Sequence, residues 1–213
     1  MQDRPPDRSR VKREPQRGAY DRETIDAILD EALVSHLGFS VDGQPFVIPT
    51  LHARVGDLVY VHGSAASRML RELAGGVPVC LTATLLDGLV LAKSVFNHSI
   101  NYRSVVLFGT ATRVPDEEKE TALHALTEQL APGRWDEVRG PTAQELKATW
   151  ILALPIEEAS AKVRSGGPVD EPEDEDLPHW SGVVPVHLSA EASDYNWERV
   201  RDGRLGVPIK EVQ

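Results

Sequence analysis

Asn97-His98-Ser99-Ile100-Asn101-Tyr102-Arg103-Ser104-Val105-Val106-Leu107-Phe108-Gly109 sets two amides, a histidine, a phenol, a guanidinium and two hydroxyls directly ahead of a β-forming apolar run. A segment that only had to fold would not need so many side chains able to hold a polar ligand at the mouth of a buried strand. Upstream, Val61-His62-Gly63-Ser64-Ala65-Ala66-Ser67-Arg68 reads as a strand end, a glycine turn and a helix start carrying hydroxyls and a cation. That is a seat for a phosphate. Together the two segments suggest a phosphorylated, planar cofactor.

The rest of the chain is read outward from these two points. Asp21 is a good N-cap, and Ile25, Ile28, Leu29, Ala32 and Leu33 form one apolar stripe, which predicts a helix from about Arg22 to Ser35. Leu37–Val41, the turn Asp42-Gly43 and Pro45–Leu51 predict a hairpin. A strand over Leu58–His62 and a short helix over Ala66–Leu73 follow. Val77–Leu85, Asp87-Gly88 and Leu89–Ser94 read as a second hairpin. Tyr102–Val114 reads as a long strand whose two faces both carry apolar residues, so neither face is simply open to water. A helix over Asp116–Leu130, a short helix near Ala143–Lys147 and strands over Thr149–Leu154 and Ala159–Arg164 complete the set. Short, largely antiparallel strands interrupted by helices predict a mainly β fold, a closed or nearly closed barrel, with a second subunit covering the outer strand faces.

Composition bounds the function. The 213 residues carry a net charge of −10, 41% hydrophobic and 26% charged residues, as expected of a soluble domain without general nucleic-acid affinity. No apolar run is long enough to cross a bilayer, nothing marks export, and the single Cys80 reads as a reduced, buried thiol. A cytoplasmic protein is expected. Residues 1–18 hold six basic residues against three acidic ones and read as a disordered basic tail. The acidic loop over 166–178 holds Asp170, Glu171, Glu173, Asp174, Glu175 and Asp176. The main domain is expected over 19–190, with a C-terminal helix and tail over 191–213. The seven histidines show no metal-ligand spacing, and there is no dinucleotide-binding fingerprint, phosphate-binding P-loop or hydrolase elbow.

Five pieces in order, Gly43–Thr50, Tyr60–Ser64, Ser67-Arg68, Asn101–Gly109 and Trp180–Pro185, resemble the pyridoxamine 5′-phosphate oxidase-like split-barrel family. The likeness is to its flavin-nucleotide-binding and nitroimidazole-resistance-type branch. The resemblance implies a split β-barrel and a homodimer with two FMN sites at the subunit interface, each lined by both chains. It implies that Pro49, Thr50 and Leu51 lie along one edge of the flavin, and that Val61, His62, Gly63 and Ser64 lead into the phosphate turn. Ser67 and Arg68 can offer a hydroxyl and a planar charged fork to the phosphate. Ser67 as a plain helix cap is the competing reading, as is His62 as a structural histidine.

Asn101, Tyr102, Arg103 and Ser104 are expected at the cofactor, with Arg103 paired to an acid across the dimer as the alternative. Trp180 is expected near the flavin or the substrate mouth, or else as an anchor of the barrel end. No side chain need be an obligatory acid or base, although Tyr102, His98 or His62 could supply a proton. The function implied is that of an FMN-dependent oxidoreductase acting on a small organic acceptor. A flavin-storing or sensing module and a haem-binding relative are the alternatives.

Overall fold

The structure, a computed structural model, describes residues 6–189. In chain order the elements are β1 (Gly18–Ala19), α1 (Arg22–Glu31), β2 (Val34–Val41), β3 (Gln44–Val55), β4 (Leu58–Ser64), α2 (Arg68–Ala74) and β5 (Pro78–Leu91). They continue with β6 (Ser99–Thr110), β7 (Thr112–Arg113), α3 (Lys119–Leu130), α4 (Ala143–Ala148), β8 (Thr149–Pro155), β9 (Glu158–Arg164) and β10 (Gly182–Pro185). The strands run β1-β9-β6-β5-β2-β3-β4-β8-β7, and β10 pairs with the far end of β5, on the edge opposite β6 and beyond β2. Every pairing is antiparallel. The result is the mainly β architecture with flanking helices expected of a split barrel. Long β3 links the two halves: its first part pairs with β2 and its second with β4.

Local chemistry explains much of this. Asp21 caps α1 by accepting from the Thr24 amide at 2.8 Å, and Ile25, Ile28 and Leu29 face the core. There they meet Leu37, Leu81, Val105 and Leu107, all buried on the inner sheet face. The helix stops at Glu31 rather than Ser35, because Ser35 is already in register with both Thr50 and Ala83. Two strand ladders outweigh another half-turn of helix. The Asp42-Gly43 turn forms as read, with φ of 51° and 79°, the left-handed pair that a two-residue hairpin requires.

Asp87-Gly88 is not a hairpin turn. β5 continues through it as a bulge, with Leu86 opposite Tyr102 and Gly88 opposite Asn101. The continuation is held by β10, which pairs with Gly88–Leu91. A Cβ on Gly88 would sit 3.0 Å from Val183 Cγ1 and 3.2 Å from the Val184 carbonyl, so this glycine is what lets β10 close.

The basic N-terminal segment is a correction too. Residues 6–18 do not hang free but cross the outer face of β6 and β9. Arg8 grips Glu158 through two bonds of 2.8 and 2.5 Å and lies 5.1 Å over the Phe108 ring. The Val11 amide donates to the Tyr20 hydroxyl at 2.9 Å, and Lys162 Nζ donates to the Arg13 carbonyl at 3.1 Å. The expected C-terminal helix over 191–213 lies outside the described residues. Among the described residues no helix is long and apolar enough to cross a membrane.

Two histidines are buried in the fold. His52 has no exposed surface, and its Nε2 meets the Leu29 carbonyl at 2.9 Å, near the end of α1. His62 lies on β4 opposite Ile151. Burial pushes both imidazoles below their ordinary range, against a partly offsetting backbone bond at His52. Both therefore stay neutral in the fold and take up protons more readily when unfolded. Stability is full above about pH 6.5, the ordinary imidazole value, and declines as the pH falls below it. Thermal unfolding followed by circular dichroism should show a lower midpoint at pH 5.5 than at pH 7.5. A His52→Gln, His62→Gln double variant should flatten that slope.

Candidate functional site

The residues singled out from sequence fall into two clusters, and one chain does not bring them together. The first lies where β3, β4 and α2 meet. Over Gln44–Leu51, β3 is paired only with β2; β4 joins from His52 onward. The other edge of β3 along Pro45–Leu51 therefore lacks a strand partner among the described residues, and edge backbone groups can bond a ligand. Pro49 is exposed, and Thr50 and Leu51 are half-buried. The Thr50 carbonyl accepts from Ser35 Oγ at 3.4 Å, and its hydroxyl donates to the Leu51 carbonyl at 3.1 Å.

Arg68 stands beside this edge. Its guanidinium lies 5.8 Å over the Phe46 ring, and Phe46 stacks on Phe39 with centroids 5.4 Å apart. No acid pairs with Arg68 among the described residues. Ser67 occupies the N-cap position of α2, yet its side chain makes no capping bond. The simpler reading of Ser67 as a plain cap is thus not what the geometry shows. The turn before it is held instead by Ser64, whose carbonyl accepts from the Ser67 amide at 2.8 Å and whose Oγ accepts from the Ala66 amide at 3.2 Å. Gly63 gives α2 room, since a Cβ there would meet Leu70 Cδ1 at 3.2 Å. Val61 is 2% exposed, so only its backbone can reach a ligand. His62 is half-buried, with Nδ1 enclosed and unpartnered.

The second cluster is on β6, and β2 and β5 separate β6 from β3. Three inter-strand spacings amount to about 14 Å. Here the structure commits two of the four residues to the fold. Asn101 donates to the Gly166 carbonyl at 3.0 Å and accepts from Arg164, tying the leg after β9 to β6. Arg103 is held by acids of its own chain: Glu31 at the end of α1, at 2.7 Å, and Asp87 at the bulge, at 2.8 Å. The bulge is what turns Asp87 toward Arg103. These bonds hold the guanidinium well above its ordinary range and the Glu31 carboxyl below its own. The three residues line a cleft of 940 Å³ between α1, α3 and β5.

Because Glu31 is half-exposed, solvent screening limits this network. Arg103→Met is expected to cost about 1–2 kcal/mol at pH 7 by urea denaturation. Glu31 contributes fully above its ordinary value and loses that contribution as the pH falls toward its lowered value in the fold, so the cost should shrink below about pH 4.5.

Tyr102 and Ser104 point to the outer sheet face. Tyr102 is half-buried, and Ser104 Oγ donates to the Lys162 carbonyl at 3.4 Å. Trp180 is 63% exposed beside β10, its ring laid over Gly182, where a Cβ would meet Cζ2 at 2.6 Å. Gly182 is opposite Leu91, which puts Trp180 at the β5–β6 end of the molecule, away from Arg68. Sequence reading missed Glu31 and Asp87 as partners of Arg103. Glu31 lay within a longer predicted helix and Asp87 within a predicted turn, so neither carried a recognisable signal.

Comparison with known proteins agrees with this architecture. The model of the pyridoxamine 5′-phosphate oxidase family matches residues 21–163. The FAD and haem binding protein of Mycobacterium smegmatis is 39% identical, with a TM-score of 0.81 over 85% of this chain and 90% of that one. The flavocytochrome Anf3 of Azotobacter vinelandii is 41% identical, with a TM-score of 0.83 over 97% of this chain and 95% of that one. A Bacteroides thetaiotaomicron structure described as a 5-nitroimidazole antibiotic resistance protein is 20% identical, with a TM-score of 0.57 over 68% of this chain and 86% of that one, and shares the fold. No curated protein matches the sequence significantly. Strand order, the family match and two relatives near 40% identity agree: this chain belongs to the pyridoxamine 5′-phosphate oxidase-like family of split barrels.

Proposed function

We propose that the chain is a cytoplasmic, flavin-dependent redox protein that works as a homodimer on a small organic acceptor and also carries haem. The observation that carries the flavin part is the edge of β3 over Pro45–Leu51, without a strand partner among the described residues, beside a Ser67 hydroxyl that makes no capping bond and an Arg68 guanidinium with no acid partner among them. Edge amides and carbonyls suit the hydrogen-bonding rim of an isoalloxazine, and a planar guanidinium suits a phosphate. The second cluster lies about 14 Å across the sheet, which supports a site shared between protomers, with Tyr102, Ser104 and Trp180 reaching the partner's flavin. FMN is the form read from the sequence; the M. smegmatis relative, described as binding FAD, favours FAD.

Flavin supplies two-electron chemistry and haem one-electron chemistry when bound. The chain's own residues bind, orient and shield. Arg68 neutralises phosphate charge, and the β3 edge fixes the ring plane. The enclosed, neutral His62 can carry a proton on one ring nitrogen, and the Tyr102 hydroxyl can donate one at the outer face. Haem fits the residues present, because an imidazole with a free ring nitrogen, His98, stands on a hairpin tip that exposes apolar side chains.

Anaerobic mixing of the flavin-loaded protein with NADH or NADPH tests turnover. Rapid bleaching of the flavin band is expected, whereas a flavin that stays oxidised indicates a binding module. Light scattering is expected to give twice the mass of one chain.

A further inference from the structure

We infer that His98 is a haem-iron ligand and that the β5–β6 hairpin tip is the haem platform. This rests on the haem part of the function proposed above and assigns it to particular residues. His98 Nδ1 lies 2.8 Å from the Ser94 carbonyl. A carbonyl can only accept, so Nδ1 carries the hydrogen and Nε2 keeps its lone pair. The side chain is exposed, so that lone pair faces outward. A backbone carbonyl that fixes the tautomer and ring direction is the support that metal-binding imidazoles use.

The other histidines lack this combination. His52 has the same kind of bond, but its second nitrogen is enclosed by protein. His62 has an enclosed Nδ1, and no ring hydrogen bond among the described residues sets its tautomer. The His124 ring packs edge-on against Trp135 at 5.2 Å. His36, His179 and His187 make no ring hydrogen bond among the described residues that would set a tautomer.

The hairpin tip that carries His98 exposes several apolar side chains. Val95 and Phe96 are 93% and 95% exposed, and Ile100, Leu89 and Val184 about 40% exposed. Leu89 is in register with Ile100 on one side and Val184 on the other, so these three side chains share one face. His98 lies in extended backbone directly before β6, between the exposed Phe96 and Ile100 in the chain. Isolated exposed apolar residues are ordinary, but five of them at the hairpin tip that carries one oriented imidazole mark a binding surface. A porphyrin presents a flat apolar ring whose central metal takes an axial imidazole, which matches both features.

The test is a haemin titration of the purified full chain, with Soret absorption and the electron paramagnetic resonance of the ferric protein as readouts. Wild type is expected to give a saturable, imidazole-ligated spectrum. His98→Ala should weaken haemin binding at least tenfold and shift the Soret band, with added imidazole restoring the band. His36→Ala should leave the spectrum unchanged, as should flavin binding by His98→Ala. A His98→Ala protein with the wild-type spectrum and affinity overturns the assignment while leaving haem binding intact. A wild type that takes up no haemin overturns both the assignment and the haem part of the function, and leaves the flavin reading to its own test.

Discussion

Arg68→Ala is expected to raise the flavin dissociation constant between about ten- and a hundredfold. That range is what the loss of one or two charge-assisted hydrogen bonds, about 1.5–3 kcal/mol, amounts to. Arg68 is exposed and has no ion-pair partner among the described residues, so its removal leaves no buried charge behind. Phe46, the ring beneath it, keeps its stacking on Phe39. The thermal midpoint should therefore barely move, which separates a binding defect from a folding defect. Arg68→Lys should recover only part of the affinity, because a point charge cannot grip two phosphate oxygens side by side. Fluorescence quenching of added flavin measures the effect. An unchanged constant in Arg68→Ala would remove the phosphate from this corner of the fold.

The second large effect is on stability. His52→Ala is expected to cost about 3–5 kcal/mol in denaturant unfolding. Two losses combine. The side chain is fully enclosed, so truncation leaves a cavity. The Leu29 carbonyl, at the C-terminal end of α1, also loses the imidazole N–H that satisfies it. An unpaired buried acceptor costs about 1–3 kcal/mol by itself. His52→Gln, which keeps a donor and part of the volume, should lose clearly less than alanine does. Equal losses in the two variants would assign the whole effect to the cavity. A wild-type midpoint for His52→Ala would show that α1 does not depend on this bond.

What sequence disclosed about this fold was local, and what it hid was tertiary. The Asp42-Gly43 turn was legible because two adjacent left-handed residues determine it, whatever the rest of the chain does. The capped start of α1 was legible for the same reason. The same turn signal at Asp87-Gly88 misled. β10, almost a hundred residues further on, holds β5 straight there, and Gly88 serves that contact rather than a reversal. The early end of α1 likewise came from two strand ladders that no local propensity records.

The site divides along similar lines. Ser67 and Arg68 were recognisable from residue type at a turn, and among the described residues Ser67 makes no capping bond and Arg68 no ion pair. Asn101 and Arg103 had the same polar character, yet Gly166, Glu31 and Asp87 engage them. Residue type alone cannot distinguish a ligand-binding guanidinium from one neutralised by its own fold. The N-terminal segment makes the converse point. Its composition reads as solvated, but Arg8 finds Glu158 and Phe108 on the outer sheet face, and the segment is seated there.

The most direct measurement is to titrate FAD and FMN separately into the purified full chain, following flavin fluorescence alongside the visible spectrum and mass of any pigment that co-purifies. Saturable quenching with one flavin per chain, and a yellow component with the mass of a flavin nucleotide, is the predicted result. A colourless preparation that leaves the fluorescence of both nucleotides unchanged would contradict a flavin seat between the β3 edge and Arg68.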